Sequence, residues 1–272
     1  MVVLSGLEAS VTGQRIQEIK RVVPGATILI EPEGGLSRAR NAALFAVAPT
    51  AVVAYIDDDA VIADTWCRGM KRVWSEASHD AAAVGGPIDP LFLQPRPAWL
   101  SDYLLTGLSI LNHGPEQHEL VTPNAYLYGA NLSVLAEHAL AVGGFDISQG
   151  PLGRGPGFGD DTDIQERLRA AGLRVLYDPE IAVAHRIPPE RLRRRAMLER
   201  RYAQGRAQAR ATPVPQFLPA ARSVITSLGK SVAYSCAGKH DLAMDKLTYG
   251  AQSVGVMSEL LDQRRGTLGA AS

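Results

Sequence analysis

Cysteine is scarce, net charge is absent and no apolar run is long. The chain of 272 residues holds 2 cysteines, Cys67 and Cys236, far apart and without ligand-like spacing to histidines. That pattern excludes a disulfide framework or a zinc site, and reads as ordinary thiols in a reducing compartment. Lys+Arg of 28 balance Asp+Glu of 28, so no global attraction to nucleic acid is expected. No apolar stretch approaches the length needed to cross a bilayer. The opening Met1-Val2-Val3-Leu4 passes at once to polar Ser5 and Glu8, unlike a signal peptide. The glycine-rich tract 150–159 lacks a Lys-Ser/Thr after Gly153-Arg154-Gly155-Pro156-Gly157. It therefore reads as an active-site loop and not as a phosphate-cradling P-loop.

What is present suits an enzyme. With 46% hydrophobic and 21% charged residues, the chain can build a core, and one large domain plus an appendage is the natural partition. The first half alternates strand-like and helix-like segments: strand Met1 to Leu4, helix Thr12 to Val23, strand Ala26 to Ile30, helix Leu36 to Val47 capped by Ser37, and strand Ala51 to Ile56. Cys67 to Ala77 continues as helix and Ala81 to Val84 as strand. Such alternation predicts a parallel sheet covered by helices. From Leu91 to Pro123 the pattern loosens into a long functional loop or a pair of short helices.

The run Tyr55-Ile56-Asp57-Asp58-Asp59 carries the most chemistry. A short apolar strand ending in three carboxylates places them at its carboxyl end, where open α/β sheets bind ligands. Adjacent like charges are costly unless something positive sits between them. A divalent Mg²⁺ or Mn²⁺ bridging carboxylate to nucleotide phosphate is one answer, and a solvated acidic turn is the other. A second cluster, Gly157-Phe158-Gly159-Asp160-Asp161-Thr162-Asp163, opens a helix from Thr162 to Ala171. Asp163 suits a cap; two acids behind glycines exceed what a cap requires, and a carboxylate so placed can take a proton from a hydroxyl. Strand Ile181 to Ala184 ends in His185, read either as a structural hydrogen-bonder or as a ligand.

Taken in order, Gly35-Leu36-Ser37-Arg38-Ala39-Arg40-Asn41, Asp57-Asp58-Asp59, Gly129-Ala130-Asn131, Val142-Gly143-Gly144-Phe145-Asp146, Gly159-Asp160-Asp161-Thr162-Asp163 and His185 resemble the family 2 glycosyltransferases of the GT-A fold over residues 1–190. The resemblance implies an α/β GT-A domain with a mixed, mainly parallel sheet over 1–187, and a basic, amphipathic helical extension over 188–272. It also implies an inverting transfer of sugar from a nucleotide-diphosphate donor to a hydroxyl on a polysaccharide, lipid-linked or small-molecule glycan, with a divalent cation. On the family pattern Gly35, Arg40, Asn41, Asp57, Asp58 and Asn131 lie at the donor, Asp59 and His185 hold the metal, and Asp161 is the catalytic base beside Asp160. Asp160 stands where the family usually has Glu. Arg38 reads as an exposed helix charge, and Asn131 reads equally as the cap of a helix from Val134 to Val142. Relatives begin with one more strand and helix, so a gap or uncovered sheet edge is expected beside Met1 to Leu4, with weak donor binding and self-association as consequences. A catalytically silent sugar-nucleotide or glycan-binding protein and a nucleotidyltransferase are the other readings.

Beyond Pro188-Pro189 the chain gathers Arg191, Arg193, Arg194, Arg195, Arg200, Arg201, Arg206 and Arg210. The run reads as a solvated face or as contact with anionic lipid at the inner face of a cell membrane, by an otherwise cytoplasmic protein. Pro213 and Pro215 mark a joint, and Leu218 to Leu261 reads as two or three amphipathic helices.

Overall fold

A computed structural model describes residues 1–122, 124–148, 159–211 and 217–269. The glycine-rich tract 150–158 and the joint at Pro213 and Pro215 lie outside them. In chain order come β1 (Val2–Ser5), α1 (Ala9–Val22), β2 (Ile28–Glu31), α2 (Leu36–Phe45), β3 (Val52–Ile56), β4 (Ala60–Ile62), α3 (Trp66–Glu76), β5 (Ala81–Gly85) and β6 (Ile88–Phe92). They are followed by α4 (Asp102–Leu105), β7 (His118–Glu119), β8 (Asn131–Leu135), α5 (Ala136–Ala141), α6 (Asp160–Ala170), β9 (Arg174–Tyr177) and β10 (Val183–Ile187). Three helices close the chain: α7 (Arg194–Ala211), α8 (Phe217–Cys236) and α9 (His240–Gly269). The chain divides into two compact units, Met1–Ile88 with Asn112–Val183, and Asp89–Leu111 with Ala184–Ser272. The second unit thus takes in 89–111, whereas the sequence suggested a single cut after 187.

The first unit is α/β, with helices over its sheets. Its five-stranded sheet runs β3-β8-β5-β9-β7, and β1 and β2 form a separate parallel pair. Within the larger sheet β5 and β9 are parallel, but β3/β8, β5/β8 and β7/β9 are antiparallel. The parallel sheet expected from the alternation is therefore mixed, as the resemblance implied, and its antiparallel pairs outnumber the parallel one because β8 inserts between β3 and β5 against both. Asn131 opens this strand, paired with Ile56. It does not cap a helix, and the helix expected from Val134 begins at Ala136. The central strand β5 is buried along its whole length, which is why its sequence shows an unbroken apolar run and no alternation. Around it pack Leu44 of α2, Leu132 and Val134 of β8, Phe145, and Ile164 and Leu168 of α6, each contributing about 1.5–3 kcal/mol by burial.

A cavity of about 560 Å³ lies along β3, lined by Met1, by Val2 and Val3 of β1, by Leu36, Ala39, Arg40 and Ala43 of α2, and by Val52 to Asp58.

In the second unit α9 packs against both α7 and α8. Ion pairs join Arg206 to Glu259 at 2.8 Å and Asp262 at 2.8 Å, and Arg210 to Glu259 at 3.3 Å. Arg201 is buried over the ring of Tyr103. The arginine run thus turns several of its charges toward its own unit, while Arg193, Arg194 and Arg195 are exposed. Among the described residues no helix is long and apolar enough to cross a membrane.

Candidate active site

The acids of the first cluster emerge where the strand pattern puts them. β3 ends at Ile56, and Asp57 to Asp59 turn the chain into β4, with the Ala60 N–H donating to the Asp57 carbonyl at 3.0 Å. Asp58 is exposed, and Asp57 and Asp59 are partly buried. Among the described residues no group of three or more His, Cys, Asp or Glu side chains is gathered as a metal cage.

The second cluster opens α6, whose first turn holds Asp160, Asp161 and Asp163 and whose last turn holds Arg167 and Arg169, a charge order that complements the helix dipole. The two neighbouring aspartates have different surroundings. Asp160, 4% exposed, accepts from Arg40 Nη1 at 2.7 Å and from Ser37 Oγ at 3.0 Å. Ser37 therefore does not cap α2; the cap position is Gly35, at φ 138°. Asp161 keeps part of its surface open and accepts from the Gly129 N–H through Oδ2 and from the Thr162 N–H through Oδ1, both at 2.9 Å. Burial pushes the Asp161 carboxyl above the usual carboxylate range and Asp160 adds to this, while Arg40 and the two N–H donors pull the other way.

Arg40 is the centre of the arrangement. It is 5% exposed, its guanidinium lies 5.5 Å from the centre of the Phe145 ring, and it interacts electrostatically with Asp57, Asp160 and Asp161. Desolvation opposes its charge, but the three carboxylates outweigh it and hold the group protonated. The positive charge that the acid clusters require is thus supplied in part from α2. Gly129 makes room for it, since a Cβ there would stand 1.8 Å from Arg40 Nη2. The carbonyl of Arg40 accepts from Tyr55 Oη at 3.2 Å, and burial raises the Tyr55 pKa.

The remaining sequence candidates are placed as follows. Asn41 exchanges two hydrogen bonds of 2.8 Å with the backbone N–H and C=O of Phe145. Gly144 beside it takes φ +72° and leaves no room for a Cβ against Asn41 Oδ1. Asn131 is buried, donates to the carbonyls of Pro87 at 3.1 Å and Ile181 at 2.7 Å, and accepts from Trp66 Nε1 at 3.2 Å. Both amide hydrogens are therefore engaged by protein. Arg38 pairs with Glu33 at 2.7 Å. His185 belongs to the second unit and sits inside β10, not at the end of a strand, because that strand continues to Ile187. Its Nδ1 faces the Leu108 carbonyl at 3.0 Å and so carries the hydrogen, leaving Nε2 to accept from Arg191 Nη1 at 3.2 Å.

One participant was not singled out in the sequence. Gln165, buried in α6, ties the segment 127–129 to Asp161. A polar residue between the apolar Ile164 and Leu168 on a helix that must bury one face was the signal for it.

Comparison with known proteins agrees with the resemblance carried by the motifs. No family model matches the chain. A relative from Haloferax volcanii, glucosyl-dolichyl phosphate glucuronosyltransferase, is 30% identical over 139 residues, which make up 50% of this chain and 43% of the relative. The match thus spans less than half of that protein's length. Among solved structures, the chain is similar to GalNAc-T7 with UDP, GalNAc and Mn²⁺, at TM-score 0.47 and 14% identity over 66% of this chain and 36% of that one. It is also similar to the mannosyltransferase PcManGT from Pyrobaculum calidifontis in complex with GDP-Man and Mn²⁺, at TM-score 0.49 and 16% identity over 97% of this chain and 66% of that one. The Haloferax volcanii relative and PcManGT are both named as transferases of a sugar.

Proposed function

We propose that the chain is an inverting glycosyltransferase of the GT-A type, moving a sugar from a nucleotide-diphosphate donor to a hydroxyl acceptor. The observation that carries this reading is the unequal environment of two adjacent acids. Asp160 is spent on Arg40, whereas Asp161 stays partly open, held by two backbone N–H groups, with a carboxyl basic enough to accept a proton. Asp161 takes the proton from the acceptor hydroxyl. As that oxygen bonds to the anomeric carbon, the bond to the diphosphate oxygen breaks on the opposite face, and the nucleoside diphosphate leaves with the electron pair. Arg40 acts here as a buried counterion to Asp160 and Asp57 beside the base.

The acidic turn suits a divalent cation held jointly with the donor. Its oxygen donors are hard, Asp58 is exposed, and Mg²⁺ or Mn²⁺ commonly takes only one or two carboxylates together with substrate phosphates. Asp59 would hold it, and bound there it would supply charge neutralisation on the departing diphosphate. Gly35, Asn41 and Asn131 support the walls of the donor site through the backbone they hold. A lipid-linked acceptor is one of the acceptor classes, in keeping with the name of the Haloferax volcanii relative. Contact with anionic lipid would then fall to Arg193, Arg194 and Arg195.

The test is a panel of nucleotide sugars, glucuronosyl donors included, assayed for binding with and without Mg²⁺ or Mn²⁺ and for transfer to hydroxyl acceptors. Metal-dependent binding and product of inverted anomeric configuration are expected. Asp59→Asn should lose the metal dependence of binding. Asp161→Asn should lower turnover by on the order of 10²–10⁴-fold with donor affinity little changed. Tight binding without any transfer would make the chain a sugar-nucleotide-binding protein, and greater loss of turnover in Asp160→Asn than in Asp161→Asn would reverse the two roles.

A further inference from the structure

The segment 125–129, which precedes β8, is stitched along one face of α6 in antiparallel order. The Ala125 carbonyl accepts from Arg169 Nη2 at 2.6 Å, and the Tyr126 hydroxyl donates to Glu166. The Leu127 N–H and C=O bond Gln165 Oε1 and Nε2 at 2.8 and 2.9 Å, and the Gly129 N–H donates to Asp161 Oδ2 at 2.9 Å. Residues 161, 165, 166 and 169 lie at the spacing of a single helical face. Gln165, 0% exposed, bonds the backbone on both sides, since its Nε2 also donates to the Asp161 carbonyl of α6 at 2.6 Å. Its amide hence fixes the spacing between the base's own peptide unit and the segment that supplies the base's N–H donor.

We propose that Gln165 is a positioning residue for Asp161, clamping 127–129 against α6 so that the Gly129 N–H meets the carboxylate and directs its open side to the acceptor hydroxyl. This rests on the reading of Asp161 as the base. A methionine at 165 has similar length and no hydrogen bonds, so it would leave two buried backbone groups of Leu127 without partners and release the segment. The groups around the Asp161 carboxyl are Arg40 from α2, Asp160 on α6 and the N–H groups of Gly129 and Thr162. Glu166, Arg169 and His113, whose Nε2 meets the Tyr126 carbonyl at 2.9 Å, hold the far end of the segment. An N–H bond to the ionised form favours ionisation, so losing the Gly129 donor moves the carboxyl to a higher pKa.

The experiment is a ¹³C NMR titration of the aspartate side-chain carboxyls of the full chain, with the Asp161 signal assigned by its loss in Asp161→Asn. In Gln165→Met the Asp161 carboxyl should titrate higher by on the order of one pH unit. The acid limb of the turnover profile should move with it, and kcat should fall roughly 10–100-fold while donor KM is little changed. In the wild type the Gly129 amide proton should shift in step with Asp161 ionisation, a readout that needs no variant. An unshifted Asp161 titration in Gln165→Met, or a Gly129 amide that ignores Asp161, would overturn the clamp whatever turnover does. Full turnover in Asp161→Asn would instead remove the base reading.

Discussion

Arg40 keeps its charge in a nearly dry environment because carboxylates surround it, Asp160 the nearest of them. The Arg40 and Asp160 side chains are 6% and 5% exposed and meet at 2.7 Å. A pair of this kind adds little net stability over apolar residues of similar size, but stranding one member leaves an unpaired buried charge. Arg40→Met is therefore expected to destabilise the first unit by about 3–5 kcal/mol, and the double variant Arg40→Met/Asp160→Leu by clearly less than the sum of the two singles. Urea unfolding of the four proteins checks this. Additive losses would mean that the two side chains do not depend on each other.

Among the elements, the crossing of α7 with α9 is set by glycine. A Cβ on Gly205 would stand 1.9 Å from the Gln252 carbonyl oxygen, and one on Gly255 would stand 2.0 Å from the Tyr202 carbonyl oxygen. Each helix thus offers a glycine to the backbone of the other, and backbone cannot step aside as a side-chain tip can. Gly229 in α8 has nothing within 4 Å of its would-be Cβ. Alanine gains about 1 kcal/mol over glycine in a helix interior, against a cost of about 1–3 kcal/mol or more for overpacking. Gly229→Ala should raise the melting temperature of the second unit, and Gly205→Ala and Gly255→Ala should lower it. Stabilisation by either crossing variant would show that the helices separate freely there.

For the whole molecule, the raised pKa of Asp161 links stability to pH. The native carboxyl holds its proton more tightly than the unfolded one, so protonation favours the native state. That contribution is complete below the ordinary carboxylate value of 3.8 and is lost as pH rises through the raised native pKa. Melting curves across this window should show a decline in wild type that is absent in Asp161→Asn. With Asp161 as the proposed base, turnover should grow over the same window in which stability falls. Parallel melting profiles for the two proteins would mean that the carboxyl is not perturbed.

Local pattern was enough for many elements and for both acid clusters. The Val52 to Ile56 strand ending in aspartates, the helix after Gly159, and the long C-terminal helices follow from apolar spacing and from Gly and Pro punctuation, which act over a few residues. Local pattern misread β8, because Val134, His138 and Val142 keep helical spacing while Asn131 to Leu135 are drawn into a sheet by β3 and β5 on either side. It also left open what neutralises the acids. Arg40 and Asp160 are 120 residues apart, Gln165 and Leu127 are 38 apart, and the need for glycine at 129 arises only when Arg40 arrives beside it. The sequence by itself determined which residues could carry charge and where strands and helices would present them. Only the tertiary structure decided which of two adjacent aspartates is spent on a buried arginine and which is held by backbone N–H groups, because burial and ion pairing depend on neighbours brought in from distant parts of the chain.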